Sequence, residues 1–348
     1  MRKKLLHAML LLSFIAAFIL PTFVSGSFQI RADTYLARPV KPPKPPKPTK
    51  TNVDIRNIPS GGTVYSEVLV IAEAAGTFDA VVYQIDSGSE YSMSRVGSTE
   101  RFHASWDTTT VSAGMHTVTV KAKDSVGTAV ASDAVEVTVV TSFQWELYYE
   151  IDYMSGHEPS QAVLDYLAGY WEGHAVKVWF LINDTVSDPT PGDGYISSTD
   201  FWAIEYNSND VWMYDDRSFG GADPKYTLPE KWMLYGTWDE NSNVGGYTYV
   251  TLDGKDCLGG NYIFIADAMI DNWEGANSIP DDGGEVIVVG HEAGHSAGVA
   301  VVRGRSEKYD PDVYSIMSYM RLENAKHIAP CWYYSKEYWS TANLDYYG

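Results

Sequence analysis

A chain of 348 residues with 45% apolar and 14% aromatic side chains has room for about two domains and is too hydrophobic to be disordered. Its formal charge of −20, from 45 acidic against 25 basic residues, argues against nucleic acid as a partner, because phosphate binding needs clustered lysine and arginine. The acidity suits a solvated surface, with calcium as a candidate ion.

The chain opens MRKKLLHAMLLLSFIAAFILPTFVSGS. Arg2, Lys3 and Lys4 precede an apolar run that ends at Pro21, and Val24, Ser25 and Gly26 offer small residues for cleavage before Ser27. This pattern predicts a secretory signal over residues 1–26 and an exported, extracellular or cell-surface protein. The alternative is an uncleaved anchor helix, which Pro21 and the short run disfavour. No other apolar stretch is long enough to span a membrane, so none is expected after cleavage. Residues 27–50 carry the segment PVKPPKPPKPTK. Proline fixes φ and lacks an N–H, so this is an extended, semi-rigid linker.

Over residues 51–141 the runs VYSEVLVIAEA, FDAVVYQID, HTVTVKAKD and AVEVTVV alternate apolar and polar side chains, with PSGG and SVG marking turns. Six or seven short strands in this length predict an all-β sandwich. Trp106-Asp107-Thr108-Thr109, then Gly114 and His116, then Ala122-Lys123-Asp124 resemble the immunoglobulin-like modules appended to secreted bacterial and archaeal hydrolases. That resemblance implies a core role for Trp106 and a structural one for His116. It also makes a cell surface or a polysaccharide a candidate contact of the module.

Residues 142–348 are aromatic and acidic. WELYYEIDYM and AVKVWFLIND read as strands around the helical EPSQAVLDYLAGYW, with Glu158 or Ser160 near its start. Residues 185–230 are loop-heavy, and KWMLYGTW, GGYTYVTL and NYIFIADAMI follow as strands. That order predicts an α+β domain with a mixed sheet. Asn183-Asp184-Thr185 is an N-glycosylation pattern, and an oxidising compartment permits a Cys257–Cys331 disulfide. The pairs Asp215-Asp216, Asp239-Glu240 and Asp281-Asp282 lack EF-hand spacing and read as solvated loops before calcium sites.

The chemistry concentrates in GGEVIVVGHEAGHSAG, residues 283–298. Asp281 or Asp282 can cap a helix here, Glu285 falls in its first turn and Gly298 can end it. On a helix His291 and His295 stand one turn apart on one face, so both imidazoles reach a single zinc ion. Glu292 borders the same site, where a carboxylate takes a proton from water activated by the metal. No G-x-S-x-G and no phosphate loop accompanies them, so serine and nucleotide chemistry are poor candidates.

HEAGHSAG followed by Tyr314-Ser315-Ile316-Met317-Ser318-Tyr319 resembles the metzincin clan of zinc endopeptidases, whose signature adds a third ligand and a tight methionine turn. The turn is closest to the serralysin-like and astacin-like forms. The resemblance implies a protein or peptide substrate, zinc as cofactor, Glu292 as general base, and Tyr319 as a group that steadies an oxyanion. One departure stands out. Val301 occupies the place of the third ligand and cannot bind zinc. Asp310 is the preferred replacement, a carboxylate seven residues before Met317 and stiffened by Pro311, with Glu307, Tyr309, Asp312 and His327 as alternatives. A strand such as NYIFIADAMI would border the cleft and pair with an extended substrate. The other reading is a non-catalytic cell-surface binding protein that keeps the fold.

Overall fold

The structure, a computed structural model, describes residues 50–187, 230–237, 245–249, 262–277, 279, 282–299, 314–318 and 332–336. Nine strands come first: β1 (Asn52–Ile55), β2 (Gly62–Val64), β3 (Glu67–Ala75), β4 (Ala80–Ile85), β5 (Glu90–Ser92), β6 (Ser94–Arg95), β7 (Arg101–Asp107), β8 (Gly114–Lys123) and β9 (Ala129–Val139). They form two sheets, ordered β1-β3-β7-β6 and β2-β9-β8-β4-β5. Alternate residues of both sheets meet in one core: Val68, Val70 and Ala72 of β3, Val118 and Val120 of β8, and Val135, Val137 and Val139 of β9. The strands beyond the expected six or seven are very short, β6 being only two residues. Trp106 is buried in this core. After it, Asp107 Oδ1 accepts the Thr109 N–H at 2.9 Å and caps a single 3₁₀ turn. His116 bridges Asp86 Oδ2 (2.8 Å) and the Ser112 carbonyl (2.7 Å), so it pins a strand end.

A third sheet follows. Strands β10 (Trp145–Met154), β11 (Val176–Val186), β12 (Glu230–Gly236), β13 (Gly246–Tyr249) and β14 (Tyr262–Ala266) take the order β11-β10-β12-β14-β13. All neighbours are parallel except β13, which runs antiparallel to β14. Helices α1 (Gln161–Glu172), α2 (Asp267–Asn277) and α3 (Gly283–Ser296) complete the described elements. The chain is thus a sheet-rich α+β protein with a mixed sheet. Leu147, Tyr149 and Ile151 of β10 pack with Leu164, Leu167 and Trp171 of α1 and with Ile287 and Val289 of α3. The other pleat of the sheet buries Trp232, Leu234 and Phe264 with Met154.

Two sequence expectations change. NYIFIADAMI is strand only to Ala266, because Asp267 opens α2 within the same stretch. And β14 is interior, paired with β12 on one side and β13 on the other. Among the described residues the terminal strand beside α3 is therefore β13, within GGYTYVTL.

Both parts of the fold belong to one unit, Thr49–Gly348. Ile71 and Val96 of the sandwich join the core under α1, and the Tyr65 N–H donates to the Gly173 carbonyl (3.3 Å). Lys336 donates its backbone N–H to the Arg56 carbonyl (2.7 Å) and its ammonium to Asp54 (2.6 Å). Among the described residues no helix is long and apolar enough to cross a membrane.

Candidate metal centre

Helix α3 is locally improbable. Its Val286-Ile287-Val288-Val289 run is β-branched, and glycines at 290 and 294 each cost about 1 kcal/mol against alanine in a helix. Tertiary packing overrides this, since every residue from Gly283 to Gly294 is buried. The glycines stand four apart on one face. A Cβ on Gly290 would meet Leu167 and Ile316 at 3.1–3.3 Å, and one on Gly294 would meet Met317 Sδ at 2.6 Å and Tyr334 Cε1 at 2.8 Å. Their bare backbone lets the segment at Ile316-Met317 lie against the helix.

The helix ends are built differently from one another. Asp282 occupies the N-cap with φ +66° and makes no side-chain cap bond. Glu274 of α2 replaces it, its Oε1 accepting the Gly284 N–H at 2.6 Å. At the other end Gly298 adopts φ +73°. Its N–H reaches the His295 carbonyl (3.0 Å) and the Val299 N–H reaches that of Gly294 (2.9 Å), a Schellman motif that turns the chain away after the second histidine. Lys231, fully buried, donates to the Ser296 carbonyl at 2.9 Å, next to the Tyr149 hydroxyl, which lies 3.2 Å from Ser296 Oγ. Desolvation pushes Lys231 down to about 7 and Tyr149 up.

His291 and His295 converge. Their Nε2 atoms are 3.0 Å apart, with the rings at 89°. Two imidazole nitrogens on one tetrahedral zinc, each about 2.0–2.1 Å from it, stand roughly 3.3 Å apart. His291 Nδ1 lies 3.1 Å from the Ile316 carbonyl. That acceptor demands the Nδ1–H tautomer and leaves Nε2 with its lone pair turned to the ligand point, as metal-bound histidines require. The donor pair therefore fits zinc.

Glu292 is buried beside them. Thr248 Oγ1 of β13 is 2.7 Å from Glu292 Oε2 and 3.0 Å from its carbonyl oxygen. Gly246 makes room, because a Cβ there would stand 2.8 Å from Glu292 Cγ. The terminal strand thus both positions and crowds the carboxylate. Met317 is fully buried. Around it the Ser318 N–H donates to the Ser315 carbonyl (3.0 Å), and the Ile316 N–H donates to the Tyr333 carbonyl (2.9 Å).

Four of the singled-out residues, His291, Glu292, His295 and Met317, meet in one place. Asp310, Tyr319, Glu307, Tyr309, Asp312 and His327 lie outside the described residues, as do Val301, Cys257 and Cys331. Among the described residues no group of three His, Cys, Asp or Glu side chains is set to hold a metal. Sequence reasoning missed Thr248, the Ile316 carbonyl and the Gly294 contact. Only the glycines of α3 and β13 hinted at them.

No protein-family model and no curated protein matches the chain. Among solved structures, metalloproteinase-II from Bacteroides fragilis is 11% identical over 80% of this chain and 84% of that one, with a TM-score of 0.30. The endo-β-1,4-mannanase of Thermotoga petrophila is 16% identical over 28% of this chain, with a TM-score of 0.25, and only 21% of its own length is spanned. Fibronectin(III)-like modules of Clostridium thermocellum CbhA are 21% identical over 25% of this chain and 94% of theirs, with a TM-score of 0.21. At such TM-scores none of these likenesses establishes a shared fold.

Proposed function

We propose that the protein is an exported zinc-dependent endopeptidase of the metzincin type, preceded by an immunoglobulin-like module. The carrying observation is the convergence of His291 and His295 Nε2 at 3.0 Å beside the Thr248-held carboxylate of Glu292. His291 and His295 would hold zinc, with Asp310 as the proposed third ligand ahead of Glu307, Tyr309, Asp312 and His327. Zinc in such a site supplies Lewis acidity toward a carbonyl oxygen and makes a neighbouring water more acidic.

The chain's own residues do the rest. Glu292 accepts the proton of the attacking water and passes it to the departing amine nitrogen. Thr248 holds one oxygen of that carboxylate, Oε2, through its hydroxyl. Strand β13, terminal among the described residues, offers its backbone to an extended peptide by strand addition. Tyr319 is assigned the role of a donor to the developing oxyanion. Casein is a suitable first substrate, being an unfolded polypeptide.

Glu292→Gln tests the assignment. It should keep stoichiometric zinc while casein hydrolysis falls about 10²–10⁴-fold, the usual contribution of a general base. A zinc-loaded wild type that cleaves no better than Glu292→Gln would overturn the peptidase reading in favour of a binding protein.

A further inference from the structure

The outer face of the β1-β3-β7-β6 sheet is not a solvent face. Leu69 and Ile71 of β3 point away from the sandwich core and pack into the core shared by α1 and α3. Arg101, opposite Glu73 at the start of β7, lies on the same outer face. Its side chain is 1% exposed, with Cζ 3.3 Å from the centroid of the Tyr314 ring and 5.3 Å from that of Tyr333. A guanidinium within about 6 Å of an aromatic face is attracted to it, and its planar shape allows it to stack.

Those two tyrosines flank one hydrogen-bonded pairing. Tyr314 is two residues before Ile316, whose N–H donates to the Tyr333 carbonyl. The Ile316 carbonyl in turn is the partner of His291 Nδ1 at 3.1 Å. An unbroken chain of contacts therefore runs from a sandwich strand, through two aromatic rings and the backbone of Ile316, to a histidine of the candidate metal pair.

We propose that the sandwich is a structural component of the metal centre, with Arg101 as a positioning residue that clamps Tyr314 and Tyr333 and so fixes the Ile316 carbonyl that orients His291. This rests on the reading of His291 and His295 as zinc ligands. In this arrangement the docking of the sandwich sets metal affinity.

The test uses the full chain with Arg101→Met and Arg101→Lys. Two readouts are taken: zinc affinity by competition with a chromophoric chelator, and hydrogen exchange of the Ile316 and Ser318 amides in metal-free protein. Arg101→Met should lose about 10–100-fold in zinc affinity, the range seen when a ligand's outer support is removed, and its two amides should exchange at least about ten-fold faster. Arg101→Lys, which keeps charge but not the planar stack, should fall between. Tyr314→Leu, at a half-buried position, carries the test should Arg101→Met not fold, and should show the same two losses. Wild-type zinc affinity and amide protection in a folded variant would overturn the proposal. Wild-type protein that takes up no zinc would instead refute the metal reading, and the exchange measurement would still decide whether Arg101 holds the turn.

Discussion

Replacing Gly294 by alanine should weaken the protein, against the ordinary trend for helices. Alanine is favoured over glycine in a helix interior by about 1 kcal/mol. The new Cβ, however, would stand 2.6 Å from Met317 Sδ and 2.8 Å from Tyr334 Cε1, far inside ordinary contact. Tyr334 cannot retreat: it is fully buried, its hydroxyl donates to the Gly290 carbonyl, and its ring meets Trp171 edge-on at 5.4 Å. The thioether is softer, so Met317 gives way and carries Ile316 with it. Overpacking of this kind costs roughly 1–3 kcal/mol. Against the propensity gain, the net is a loss of up to about 2 kcal/mol, with zinc affinity reduced through the Ile316–His291 contact. Gly290→Ala is the internal control. The atoms nearest its Cβ would be the methyl ends of Leu167 and Ile316, at 3.1–3.3 Å, so it should stay within about 1 kcal/mol of wild type. Denaturant unfolding and chelator competition on both variants measure the two effects. If Gly294→Ala is as stable as Gly290→Ala and binds zinc as tightly as wild type, Met317 does not brace the helix as argued.

Two buried ionisable groups give pH-dependent predictions of opposite sign, each read as the difference between variant and wild type. Burial pushes the Glu285 carboxyl from 4.5 up to about 8. The folded state therefore keeps a proton that the unfolded chain releases, and stability falls as pH rises from 4.5 to 8. Glu285→Gln removes that penalty, so its advantage over wild type should grow through this window, by at most about 1.4 kcal/mol per unit, and level off above it. Urea unfolding series that stay parallel from about pH 5 to 9 would contradict this. Desolvation lowers Lys231 from 10.5 to about 7, so the folded state sheds a proton that the unfolded chain keeps, and stability rises with pH from 7 to 10.5. Lys231→Met should compare best with wild type below pH 7 and lose ground toward pH 10, where the bond to the Ser296 carbonyl carries no charging penalty. A pH-independent difference would show that Lys231 is not desolvated as placed.

The candidate metal pair was legible in the sequence because its spacing is a property of one helix. Histidines four apart must share a face wherever the helix sits, and Gly298 had only to end it. The support of that pair was not legible, because it comes from distant segments. Thr248 reaches Glu292 across 44 residues and the Ile316 carbonyl reaches His291 across 25. No local period records either contact. The N-cap shows the same limit. Asp282 has the right chemistry and the right position, yet the bond goes to Glu274, which α2 delivers from a neighbouring element. The edge strand failed for a related reason. NYIFIADAMI is the more apolar run, but apolarity reports burial of a strand's faces, not whether its edges are paired, so it did not mark the edge strand.

That same rule exposes what the alternation pattern of the sandwich concealed. VTVKA in β8 alternates, as a sheet with one wet face should. VLVIA in β3 does not, and its five successive apolar residues divide between two cores: Val68, Val70 and Ala72 face into the sandwich, while Leu69 and Ile71 face α1. A strand of an independent module would need polar residues at 69 and 71. The sequence of β3 is that of a strand buried on both faces, and Arg101 beside it is an arginine that solvent scarcely touches. Residues on both sides of the boundary expected at 141/142 belong to one compact unit, Thr49–Gly348. The sandwich holds the far side of the turn that holds His291.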